Sequence, residues 1–209
     1  MPASTSGAGD ASARIYDVLA ESQRIGLIGP GPLDVAIAQA EAFANALPPD
    51  AHRVVDVGSG GGLPGLVVAA SRADLDLTLV DRRERSCDFL RRAVRALGLN
   101  SRVRVFHADL EALGHDPAWR AGYDAATARG VAPPAEVAEL VLPLIRAGGR
   151  LVVSVAGSGE RWPDSGLRLL GAAVERRSEG LIVVRAGVCP DRFPRRRRHP
   201  DLFSLADTA

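Results

Sequence analysis

The chain has 209 residues, with 26 basic and 25 acidic side chains for a net charge of +1, and every basic residue is arginine. That length suits one domain of ordinary size with a short appendage. The missing lysines exclude chemistry that needs an ε-amine, such as Schiff bases, pyridoxal phosphate catalysis and the phosphate-contacting lysines of phosphate-loop and protein-kinase sites.

In chain order, residues 1–12 (MPASTSGAGDAS) are small and polar and read as a disordered lead, followed by an N-terminal helical extension over 13–50 and a main domain over 51–209. Helices are expected at 11–24, 33–47, 83–97 and 134–146. The third is the best defined. Cys87, Leu90, Val94 and Leu97 recur at steps of three and four, with Arg85, Arg91, Arg92 and Arg95 between them as a solvated face. Short β-branched runs predict strands at 54–57, 77–81, 103–107, 123–127, 150–155, 173–177 and 181–185. Alternation of such runs with helices is the pattern of a doubly wound, mostly parallel sheet in an α/β protein. The last two runs lie so close together that an antiparallel hairpin is expected. Cys87 and Cys189 are far apart and lack metal-ligand spacing, so neither a disulfide framework nor a metal site is expected. No run approaches the roughly 18 apolar residues of a membrane span, and a cytoplasmic monomer without membrane contact is the expectation.

The strongest local signal is DVGSGGGLPG at 56–65, where apolar residues run into Gly58, Gly60, Gly61 and Gly62 and Pro64 is placed to begin a helix. Such a loop lets backbone N–H groups approach a ligand. Asp81 follows Gly60 by 21 residues at the end of the next strand, where a carboxylate can accept both hydroxyls of a ribose. The loop also satisfies the dinucleotide pattern G-x-G-x-x-G, but Asp56 would face a pyrophosphate unfavourably and suits the cationic groups of S-adenosylmethionine. After the third strand, Asp109, Leu110 and Glu111 offer contacts to an adenine, with Asp109 also a helix N-cap. Arg129 is placed at the carboxyl end of the fourth strand, where open α/β sheets bind ligands.

These residues resemble the bacterial small-subunit methyltransferase G family, also called glucose-inhibited division protein B, over roughly residues 16–200. The likeness rests on GLIGP at 26–30, the glycine loop with Leu63, TAR at 127–129, GGRL at 148–151 and RFPRR at 192–196. It implies a Rossmann-like class I methyltransferase of seven strands. It further implies S-adenosyl-L-methionine as cofactor, guanine N7 of 16S ribosomal RNA in the small subunit as acceptor, and cofactor contacts at Gly58, Leu63, Leu110, Glu111 and Arg129. Three positions depart from the family pattern. The segment 31–40 carries no basic residue or histidine, SVAG at 154–157 stands where relatives have a lysine, and Arg198 replaces a glycine.

Guanine N7 is a lone pair without a proton, so its methylation needs positioning and no general base. In agreement, the four histidines are scattered and read as packing or surface groups, Cys189 reads as an incidental thiol, and no catalytic side chain is assigned. The cationic candidate for RNA is DRFPRRRRH at 191–199, through Arg192, Arg195, Arg196, Arg197 and Arg198. Two other readings fit the same residues: a relative with another acceptor, either a small molecule or a different RNA, and a cofactor-binding protein without turnover.

Overall fold

The computed structural model describes residues 6–155, 162–178, 180–195 and 202–205. Helix α1 (Ser6–Arg24) and helix α2 (Leu33–Ala46) precede four strand–helix steps and a fifth strand: β1 (Arg53–Val57), α3 (Gly65–Ser71), β2 (Asp76–Asp81), α4 (Glu84–Ala96), β3 (Val103–His107), α5 (Leu110–His115), β4 (Tyr123–Ala128), α6 (Pro134–Val141) and β5 (Ile145–Ser154). The chain closes with α7 (Asp164–Leu169), β6 (Ala172–Ser178), β7 (Leu181–Ala186) and the short α8 (Leu202–Leu205). One seven-stranded sheet results, in the order β3-β2-β1-β4-β5-β7-β6. Strands β1 to β5 are parallel, and β7 enters antiparallel between β5 and β6. The order reverses at β1 and β4, and the cleft outside their carboxyl ends is where such sheets bind ligands.

Because the central strands are covered on both faces, they are continuous apolar runs and not alternating ones. On one face α1 to α4 bury Leu19, Phe43, Leu66, Leu90 and Val94 against the sheet. On the other, α5 to α8 and the C-terminal segment bury Val137, Leu142, Leu167, Phe193 and Phe203.

Two expectations are corrected. The described helix α1 begins at Ser6, inside the segment read as a disordered lead, where Ala8, Ala11 and Ala13 favour helix. Residues 1–5 lie outside the described residues. The helix expected at 134–146 stops at Val141, and Leu142–Leu144 form a 3₁₀ turn. Pro143 has no N–H to continue the helical ladder, and the chain passes directly into β5, which begins at Ile145 and so takes in both Gly148 and Gly149.

The N-terminal extension docks on the glycine loop. Ser22, fully buried near the end of α1, donates from Oγ to the carbonyl of Gly61 at 2.8 Å. The segment after α1 folds back, with Leu27 N–H on Ser22 O at 2.9 Å and Gln23 Nε2 on the carbonyls of Gly29 and Gly31 at 2.9 Å each. A Cβ at Gly61 would strike Ser22 Oγ and approach Ile28 Cγ1 at 2.5 Å. Glycine is required there by a neighbouring element, not by a ligand. The Gly61→Ala variant is therefore expected to lose about 1–3 kcal/mol in urea unfolding and to open the segment after Arg24 to limited proteolysis. Wild-type stability with an unchanged cleavage pattern would show that the contact does not hold the extension down.

Candidate functional site

At the carboxyl ends of β1 to β4 lies a cavity of about 550 Å3. Each strand delivers its contribution through the loop that follows it. Gly58 comes from the loop after β1, Asp81 from the end of β2, Asp109, Leu110 and Glu111 from the turn after β3, and Val131 from the loop after β4. Gly58 has φ +65°, and a Cβ there would meet Val131 Cγ2 at 2.7 Å. That glycine is required both by its backbone conformation and by the closeness of the facing loop.

Asp81 is buried and ties the site together. Oδ2 accepts the N–H of Gly60 at 2.8 Å, joining the β1 and β2 loops, and Oδ1 accepts the N–H of Arg83 at 2.8 Å. Asp109 caps α5, accepting from Glu111 N–H at 3.0 Å. Sequence reasoning did not single out Arg82, Arg83, Glu136 and Leu140, which also line the cavity. Glu136 and Leu140 stand four residues apart on α6, so one face of that helix closes the cavity. A helical step after the TAR segment was the available signal. With these included, the wall carries the carboxylates of Asp81, Asp109, Glu111 and Glu136 against the guanidiniums of Arg82 and Arg83, an excess of negative charge that suits a cationic ligand.

Four expected contacts do not line the cavity. Gly60 gives its N–H to Asp81 Oδ2 and is not among the lining residues. Asp56 is fully buried beneath the loop and does not line the cavity. Its Oδ1 accepts from Thr127 Oγ1 at 2.5 Å, while Oδ2 sits beside Gly65 without completing a hydrogen bond. Burial pushes its pKa up to about 6. Asp56 thus braces β1 against β4 from below, because its side chain points into the covered face of the sheet, where Thr127 receives it, and not out of the strand's carboxyl end. Leu63 packs into the apolar cluster of the N-terminal helices. Arg129 is half-buried and turns toward α2, donating from Nη2 to Gln39 Oε1 at 3.2 Å. Its Nη1 is buried without a partner among the described residues, and burial lowers its pKa.

A model of the rRNA small subunit methyltransferase G family matches residues 36–159, from α2 through β5 and so across the whole cavity. The chain belongs to that family. The ribosomal RNA small subunit methyltransferase G of Rubrobacter xylanophilus is 36% identical over 167 residues, 72% of this chain and 64% of that protein. Its counterpart from Salinispora arenicola is 40% identical over 169 residues, 76% and 69% of the two chains. The match therefore spans just under two thirds of the length of the first of these relatives. An O-methyltransferase family protein from Burkholderia thailandensis shares the fold, with a TM-score of 0.55 at 17% identity over 74% of this chain and 58% of that one. The architecture is the Rossmann-like class I methyltransferase fold.

The C-terminal arginines separate into two kinds. Arg195 donates from Nε and Nη2 to the two oxygens of Glu139 at 2.8 and 2.7 Å, and its N–H reaches Glu139 Oε1 at 2.6 Å. Expected as an RNA contact, Arg195 is instead a clasp between the C-terminal segment and α6. Arg192 is exposed, its guanidinium 5.0 Å from the centre of the Phe193 ring. Arg196, Arg197 and Arg198 lie outside the described residues. Among the histidines, His107 Nε2 pairs with Arg82 O at 2.9 Å and His115 Nε2 with Pro194 O at 2.7 Å, consistent with packing roles. Burial raises the Cys189 thiol to about 11, which leaves it a poor nucleophile.

The raised pKa of Asp56 gives a signed prediction. An acid with a higher pKa folded than unfolded binds more protons in the native state, so its contribution makes stability fall as pH rises from about 4 to about 6 and level off above. Measured by denaturant unfolding, wild type should lose on the order of 3 kcal/mol over that window relative to Asp56→Asn. Parallel stability profiles for the two proteins would refute the assignment.

Proposed function

We propose that the protein is an S-adenosyl-L-methionine-dependent methyltransferase that modifies guanine N7 of 16S ribosomal RNA in the small subunit. One observation carries the reading: family membership coincides with a cavity whose walls fit this cofactor. Asp81 faces it with a buried carboxylate matched to ribose hydroxyls, and Gly58 puts loop backbone on the cavity wall in a conformation and beside a facing Val131 that exclude a side chain. Val80, Ala108 and Leu110 offer an apolar wall for the adenine, and the acidic lining favours a cationic ligand over a dinucleotide pyrophosphate. When bound, the cofactor supplies an electrophilic methyl group on a sulfonium. The chain's own part is to hold the acceptor in line and exclude water, since N7 has no proton to lose.

The RNA is met by a local cationic surface, because the global charge is only +1. Arg192 is the described arginine of the C-terminal run left free for phosphate, and Arg196 to Arg198 continue that run. This is a cytoplasmic reaction. A second reading, with another acceptor, rests on the departures from the family pattern at 31–40 and 154–157: α2 carries no basic residue to meet a phosphate.

Calorimetry should give micromolar binding of S-adenosyl-L-methionine or S-adenosylhomocysteine, with Asp81→Ala weakening it by about 100-fold or more. Binding of NAD in their place would overturn the cofactor reading. Labelled methyl incorporation into purified 30S subunits should appear in guanine, whereas cofactor binding without incorporation would favour the other acceptor. For Arg192→Ala, the slope of log affinity for 30S subunits against log salt should flatten by about one unit. An unchanged slope would remove this residue from the RNA surface.

A further inference from the structure

A second, smaller cavity of about 60 Å3 opens at the carboxyl ends of β4 and β5, lined by Ala128, Val153, Ser154 and Trp162. It shares Gly130, Val131 and Ala132 with the large cavity, so one short segment separates the two. Trp162 is 3% exposed, edge-on to Phe203 with ring centres 5.9 Å apart, and its indole Nε1 has no hydrogen-bond partner among the described residues. Indole Nε1–H is a donor only, and a buried donor without an acceptor destabilises a fold. The space admits about two water molecules, enough for an exocyclic oxygen at the edge of a base but not for the ring.

We propose that this cavity is the acceptor-edge subsite and that Trp162 donates to the keto oxygen of the guanine, the group adjacent to N7. The inference rests on the methyltransferase reading above and adds the residue that selects the base. Guanine presents N7 and O6 as two neighbouring acceptors, whereas adenine presents an amino group in place of O6. Against adenine, the indole N–H would face another donor and stay unsatisfied, and that kind of mismatch discriminates strongly. A hydrogen bond to O6 draws electron density away from N7 and so makes it a weaker nucleophile. The contact therefore serves recognition and orientation and not rate.

Tryptophan occurs only at Trp119 and Trp162, so 15N-labelled protein gives two indole resonances, assigned by Trp162→Phe or, should that variant not fold, by Trp119→Phe. With S-adenosylhomocysteine present, guanosine 5′-monophosphate should move the Trp162 resonance downfield and adenosine 5′-monophosphate should leave it in place. In steady-state methylation of 30S subunits, Trp162→Phe should raise KM about tenfold with kcat within twofold of wild type. Equal indole shifts with both nucleotides, no shift with either, or an unchanged KM would overturn the proposal. Turnover is not needed for the indole measurement. If wild type fails to methylate 30S subunits but the resonance still responds to guanosine 5′-monophosphate alone, the base subsite stands and the ribosomal reading falls.

Discussion

The hydrogen bond from Gly60 N–H to Asp81 Oδ2 fixes the loop after β1 to the end of β2, and the site depends on that tie. Asp81 is buried, so each of its oxygens requires donors, and Gly60 and Arg83 supply them from backbone N–H groups at 2.8 Å each. Once the loop is held there, its two sides are free to meet different neighbours. Gly61 receives the N-terminal extension through Ser22, and Gly58 receives Val131 from the β4 loop. A run of glycines that looks like one ligand-binding feature is thus a junction where three other chain segments converge.

This explains what could be read from the sequence and what could not. All seven strands and four of the larger helices were legible, because buried parallel strands are apolar runs and amphipathic helices repeat at three and four residues. Asp81, Asp109, Leu110 and Glu111 were legible as cavity residues because they close strands or open helices at the carboxyl edge. Asp56 misled because its place one residue before the loop was taken as access, whereas its strand is covered on both faces and its carboxylate turns to Thr127. Arg195 misled in the opposite way. Charge composition identifies a basic run but not which member finds a buried carboxylate 56 residues away, as Arg195 finds Glu139.

The all-arginine composition has a structural use. Arg120 spreads its fork over four carbonyls: Nη1 on Gly114 and Phe193 at 2.7 and 2.8 Å, and Nη2 on Cys189 and Pro190 at 2.8 and 3.0 Å. It fastens the C-terminal segment to the turn after α5. Arg102 likewise reaches the carbonyls of Ala69 and Arg72 at the end of α3, where helix carbonyls lack intrahelical partners, and that of Leu75 just before β2. An ammonium is a compact point charge, while a guanidinium has five donors in a fixed plane. Replacing these two arginines with lysine would leave several carbonyls unpartnered. The fold relies on arginine at these two positions.

The segment that follows β4 joins these points. It holds Arg129, one of whose nitrogens has no partner among the described residues, then Gly130, Val131 and Ala132, which wall both cavities, and the smaller cavity is lined in turn by Trp162, whose N–H also has no partner among the described residues. Buried donors without acceptors are uncommon in a folded chain, and local rules are broken most often where function requires it. Elsewhere this protein satisfies its long polar side chains closely, as Arg120, Arg102 and Arg195 demonstrate. Of the four buried polar side-chain atoms without a partner among the described residues, Arg129 Nη1 and Trp162 Nε1 flank this one short segment at the carboxyl edge, which is why the acceptor is placed there.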